Sequence, residues 1–163
     1  MTRFRPFALL CIATALLTAC DSAKNDPATF ETDAGEAAVR HLISSLPELN
    51  PGVAKNYSIV LGELTFAGAM TPATEAFVKR FEDLKLEFVN AIDLKVMEPG
   101  PIIVDNKTRL ATFVLQLRVL SQTSETTWES ELGWSYKDKF ERQKVKLELR
   151  DGKIVVTSSE KTK

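Results

Sequence analysis

The sequence predicts an α+β domain: an antiparallel meander sheet of about five or six strands with two helices packed on one face. Three observations predict it. Apolar residues recur at helical spacing in two stretches, near 34–46 and 72–83. Alternating apolar and polar residues fill most of the second half of the chain. An Asp151-Gly152 pair stands between two such runs, where a two-residue hairpin turn belongs.

The chain opens with Arg3 and Arg5 and no acid, then an apolar run from Phe7 to Leu17. A basic start followed by an apolar stretch of this length is a secretory signal. The run falls short of the roughly 20 residues that a membrane-spanning helix needs. Leu17-Thr18-Ala19-Cys20 follows at once. This resembles the bacterial lipobox, Leu-x-Ala/Gly-Cys, and the resemblance covers the first twenty or so residues. It implies that residues 1–19 are a lipoprotein signal peptide, cut before Cys20. It also implies that the Cys20 sulfur is diacylglycerated and the new amine usually acylated, which anchors the chain to a membrane. Two or three acyl chains anchor far better than one, because each buried CH₂ adds about 0.8 kcal/mol. Asp21, next to the lipidated cysteine, resembles the inner-membrane retention signal of enteric lipoproteins. It implies a periplasm-facing location on the inner rather than the outer membrane.

Removal of residues 1–19 bounds the rest. Of 163 residues, 144 remain. The 21 Lys+Arg lose Arg3 and Arg5 and become 19, against 22 Asp+Glu, a net charge of −3. That mild acidity, with no basic stripe, argues against nucleic-acid binding and against electrostatic docking on anionic lipid. Cys11 leaves with the signal and Cys20 is consumed by lipid. The mature chain then has no disulfide, no cysteine zinc site and no cysteine nucleophile. It holds together by core packing, which a chain of this size can do. His41 is its one histidine, too few for a histidine-built zinc site. An all-oxygen calcium or magnesium site stays open.

Residues 20–33 read as the lipidated cysteine and a flexible tether, small and polar, whose last thirteen residues reach at most about 43–47 Å. A single domain is expected over 34–159. Asp33 with Glu36 reads as a capping box, and Val39, Leu42, Ile43 and Leu46 form the stripe of a helix that Pro47 ends. Residues 57–66 read as a strand with Gly62 as a candidate bulge, broken at Gly68–Met70. Thr71 is placed as N-cap and Pro72 at the first position of the second helix. The end of that helix has two readings, because Phe77, Phe81, Leu84 and Phe88 fit a helical face while Leu84, Leu86 and Phe88 also alternate. The partition adopted is helix over 72–83 and strand over 86–97, closed by Pro99-Gly100-Pro101.

Later strands are expected over 107–121, 128–136 and around Val145, Leu147 and Leu149, with 122–126 a polar hairpin loop. The Asp151-Gly152 turn should be of type I′ and pair Leu149 with Ile154 and Leu147 with Val156. The polar end from Ser158 is expected to fray, with 160–163 outside the domain. This order is similar to the cystatin-like and NTF2-like α+β sandwiches, an analogy of architecture that carries no function.

Few residues offer chemistry. His41 stands three and four positions before Ser44 and Ser45 on one helix, yet no strained Gly-x-Ser-x-Gly turn exposes a serine nucleophile. Glu129 and Glu131 point the same way from one strand, toward solvent. Trp128, Trp134 and Tyr136 share one strand face and are the candidate binding residues, although aromatics there also serve as ordinary core. No phosphate loop, dinucleotide fingerprint or metal ladder is present, so no catalytic residue, metal or cofactor is expected. The resulting expectation is a non-catalytic accessory or binding domain for an envelope protein partner. The alternative is a carrier of a small apolar ligand in a sheet–helix pocket near Trp128, Trp134 and Phe113. A third reading, a carboxylate-based enzyme with His41, requires a buried, perturbed carboxylate in a cleft.

Overall fold

The computed structural model describes residues 26–62, 71–98, 100 and 102–162. The signal peptide, Cys20, Asp21, the 63–66 end of the expected first strand, the Gly68–Met70 break, Pro99 and Pro101 lie outside them. The chain is α+β, mostly antiparallel, and not a barrel. Among the described residues, helices α1 (Pro27–Phe30), α2 (Asp33–Ser44) and α3 (Glu75–Lys79) accompany eight strands. These are β1 (Asn56–Leu61), β2 (Thr71–Pro72), β3 (Leu94–Met97), β4 (Ile102–Asp105), β5 (Thr112–Ser124), β6 (Thr127–Tyr136), β7 (Lys139–Arg150) and β8 (Lys153–Thr162). Six form one sheet in the order β2-β1-β5-β6-β7-β8, and β3 pairs with β4 apart from it.

The run β5 to β8 is the expected meander, joined by short turns. Asp151 and Gly152 both take positive φ (50° and 74°), and the turn pairs Leu149 with Ile154 and Leu147 with Val156 as expected. A purely antiparallel meander is corrected at β1, which pairs with β5 in parallel, Tyr57 opposite Phe113 and Leu61 opposite Leu117. The long passage from residue 62 to 111 lets the chain cross over and return beside β1 in the same direction. Gly62 does not bulge the strand. It ends β1 with φ 74°, and its N–H donates to the Leu117 carbonyl.

The 71–97 region departs most from expectation. Thr71 and Pro72 are a short strand on the edge of β1, not a helix start. Thr74 caps α3 instead, its hydroxyl accepting from the Phe77 N–H. Glu31 fixes that start, because its carboxylate accepts from both the Thr74 N–H (2.6 Å) and hydroxyl (2.7 Å). The expected long helix becomes five residues followed by a 3₁₀ turn at Glu82–Leu84, which Lys85 ends in the left-handed region (φ 54°). The expected 86–97 strand shrinks to a bridge at Phe88 and to β3. Between them the Asn90 side chain accepts from the Ile92 N–H and opens a second 3₁₀ turn. The apolar stripe survives this shortening, since Phe77 and Phe81 are fully buried.

Two ends also differ. Thr32, not Asp33, caps α2. Asp33 and Glu36 sit in its first turn, and their carboxylates pair with Arg80 and Arg40 rather than closing a capping box. Arg40 makes paired bonds to Asp83 (both 2.9 Å), donates to Glu36 and to the Arg80 carbonyl, and covers the Phe81 ring, which locks α2 to the 3₁₀ turn after α3. At the other end, residues 158–162 do not fray but continue β8 against β7, after a register shift that leaves Thr157 as an extra residue.

The main core lies between the sheet and the helices. Val39 and Leu42 of α2, Phe77 of α3 and Phe81 meet Ile59 and Leu61, Phe113, Leu115 and Leu117, Leu132 and Trp134, and Val145 and Leu147. A smaller cluster, Val60, Val114 and Ala91, forms on the opposite face, packed against Leu94 and Ile103 of the β3–β4 pair.

Candidate functional site

Trp128, Trp134 and Tyr136 do share one face of β6, but at three depths. Trp134 (7 % exposed) and Tyr136 (2 %) belong to the core. Phe113 stacks on Tyr136 at 4.3 Å and on Tyr57 at 5.5 Å between ring centres, and tilts against Trp134 at 5.8 Å. Ring fills against ring there, so the position proposed for an apolar pocket beside Phe113 and Trp134 is packed. The Trp134 Nε1 and the Tyr136 hydroxyl are buried with no hydrogen-bond partner among the described residues. Burial pushes the Tyr57 phenol above its ordinary range, with the neighbouring Tyr136 adding to it.

Trp128 behaves differently. It is half-buried and lies near the far end of β6, opposite Gln122 of β5 and Leu147 of β7. Its ring lines a recess of about 450 Å³ whose walls are Thr29 of α1, Thr32, Asp33 and Ala34 at the start of α2, Leu120 and Gln122 of β5, and Ile154 of β8. The local sequence builds the helical wall. Asp26 caps α1 by accepting from the Ala28 N–H, Pro27 supplies a preset first position, and Phe30 is buried in the core. Gly35 lets the Phe30 carbonyl approach α2, since a Cβ there would sit 1.8 Å from that oxygen. The floor is apolar and the rim polar. Asp33 is its one titratable group, and its Oδ1 is held by Arg80 at 3.0 Å. Such a recess can hold an apolar group with a polar end, and it has no acid–base pair to do chemistry. The sequence reading missed its helical wall, although Phe30, a lone aromatic within polar residues, was the available signal.

His41 lines a second groove, about 580 Å³, between α2 and β8, with Asp33, Glu36 and Arg40 along the helix and Lys153 to Val156 along the strand. Its Nε2 is buried with no partner among the described residues. The structure makes no imidazole–serine bond. The Ser44 hydroxyl donates to the His41 carbonyl (2.8 Å) and that of Ser45 to the Leu42 carbonyl (2.9 Å). Glu129 and Glu131 lie on the outer face of the sheet, paired with Lys146 (3.3 Å) and Lys144 (3.2 Å).

Asp105 is the buried carboxylate of the described chain, 1 % exposed at the end of β4. Burial pushes its pKa up. The Thr108 hydroxyl and amide, both at 2.7 Å, then pull it down, with help from the Lys107 amide and charge, so that it falls below the ordinary range. Asn56 joins the cluster by donating to the Thr108 hydroxyl. This carboxylate belongs to the last residue of β4, opposite Leu94 of β3, rather than to either recess above, and its bonds hold the loop that follows. A carboxyl depressed in the folded state stabilises above its unfolded pKa and loses that contribution as pH falls through the folded value. Asp105→Asn should therefore be less stable than wild type at neutral pH. That gap should narrow as pH falls below the usual aspartate value of about 3.9. Urea midpoints across the acid range check it, and a gap constant with pH would refute it.

Among the described residues, no three His, Cys, Asp or Glu side chains stand close enough to hold a metal ion, and no helix is long and apolar enough to cross a membrane. Neither a scan against family models nor searches of curated proteins and of solved structures finds a match for this chain.

Proposed function

We propose that the chain is an envelope lipoprotein, anchored through lipid on Cys20, whose body is a non-catalytic accessory domain for an envelope protein partner. The observation that carries this reading is Leu17-Thr18-Ala19-Cys20 directly after a basic start and an apolar run. The small supply of paired catalytic groups in the recesses supports the non-catalytic half. Tethering to the membrane raises the effective concentration of such a domain near membrane machinery. Asp21 favours the inner membrane.

The intact mass of protein extracted from membranes should correspond to a chain beginning at Cys20 with acyl chains attached. Cys20→Ala should move the protein to the soluble fraction. An unprocessed N-terminus, or a mature Cys20 without acyl mass, overturns the anchor. The partner is sought by photo-crosslinking in cells from Phe140, whose ring is 74 % exposed at the start of β7. Absence of any specific adduct counts against an accessory role. The carrier reading is favoured by one observation, the Trp128 recess, whose volume lies within the range of small-ligand sites. It expects a lipid-like molecule to co-purify in stoichiometric amount, and solvent extracts without one exclude it.

A further inference from the structure

We infer that the end of the sheet bearing Trp128 lies against the bilayer surface, with Trp128 at headgroup level; this rests on the Cys20 anchor. The folded body begins earlier than the sequence suggests. Asp26 already caps α1, and Phe30 is buried. Only six residues separate Cys20 from Pro27, and they reach at most about 25 Å. A tether running to Asp33 would have let the body stand clear of the membrane in any orientation. This shorter link holds one end close.

The end it holds is fixed by contacts. Thr29 of α1 faces Leu120, Gln122 and Trp128 across the recess, so the chain enters beside the β5–β6 and β7–β8 turns. The β6–β7 turn lies at the other end of the meander. Trp134, six residues along β6, stands about 20 Å farther from the entry. The side chains around the two near turns suit headgroups. Thr123 and Ser124 carry exposed hydroxyls, Thr127 is half-buried beside them, and Trp128 combines an apolar ring with a polar N–H. The recess therefore opens toward lipid. The β6–β7 end, with Phe140, and the ion-paired outer face stay accessible to a protein partner.

The test uses the acylated full chain, labelled with 5-fluorotryptophan, in vesicles of phosphatidylethanolamine and phosphatidylglycerol doped with a gadolinium-chelate lipid. The ¹⁹F line of Trp128 should broaden at least about tenfold more than that of Trp134, because paramagnetic broadening falls steeply over the extra strand length. Insertion of twelve Gly/Ser residues before Asp26 should cut the Trp128 broadening several-fold, since the longer flexible link relaxes the orientation. No tryptophan is replaced, so folding is not at risk. Equal broadening of the two lines in a protein of verified acyl mass, or broadening unchanged by the insertion, overturns the orientation and leaves the recess to a protein or a soluble ligand. A mass without acyl chains overturns the anchor itself, and the orientation with it.

Discussion

Phe113→Ala should lower the stability of the folded chain by about 3–5 kcal/mol, the range for truncating a fully buried aromatic. Phe113 is 1 % exposed at the centre of the sheet, and its ring touches those of Tyr57, Tyr136 and Trp134. Each aromatic pair adds about 0.5–1.5 kcal/mol beyond area burial. The substitution therefore falls at the upper part of that range unless the neighbours collapse into the space. Against a total stability of about 5–15 kcal/mol, such a loss leaves a marginal domain. It also unpins β1, because Tyr57 stacks on Phe113 across the parallel β1–β5 ladder. Urea unfolding gives the magnitude, and near-ultraviolet circular dichroism reports the aromatic stack. Phe113→Leu keeps most of the volume and should lose less than half as much. A loss under about 1.5 kcal/mol for the alanine variant would mean that the ring cluster is not the keystone of the core.

Gly35→Ala should also be strongly destabilising, and the sign is decided by competing magnitudes. On propensity alone, alanine in place of glycine within a helix gains about 1 kcal/mol. Here the new Cβ would meet the Phe30 carbonyl oxygen at 1.8 Å and Leu117 Cδ2 at 3.3 Å. The first contact is with backbone, so α1 must move. Moving α1 draws Phe30 from the core, a loss of about 3 kcal/mol by itself. The net expectation is a loss of about 2–3 kcal/mol, concentrated at the N-terminal edge. Proteolysis should then cut near residues 27–32 well before the sheet unfolds, and hydrogen exchange in β5–β8 should change little. A Gly35→Ala protein as stable as wild type, with unchanged cleavage there, would show that the α1–α2 approach is looser than described.

The parts of the fold legible in the sequence are those governed by local rules. Alternation marks the strand over Trp128–Tyr136, and the Asp151-Gly152 turn sets the pairing of Leu149 with Ile154 and Leu147 with Val156, both without reference to the rest of the chain, whereas the shift at Thr157 carries no local signal. The parallel pairing of β1 with β5 is a relation between residues more than fifty apart, which no local pattern encodes. The 71–97 misreading has a similar source. Thr71-Pro72 has the chemistry of a helix start, but Thr74 offers the same cap three residues later, and the carboxylate of distant Glu31 decides between them. The candidate site was half legible for the same reason. Trp128 stood out, with Trp134 and Tyr136, as one of the aromatics sharing a strand face, whereas Thr29, Thr32 and Asp33 join it only through tertiary packing.

Among the described residues β8 is one edge of the sheet, as β2 is the other, and the extra residue at Thr157 breaks its hydrogen-bonding rhythm midway. A neighbouring copy offering its own strand would lose register at that break. Copies of the chain brought side by side thus meet a deterrent to zipping into ribbons.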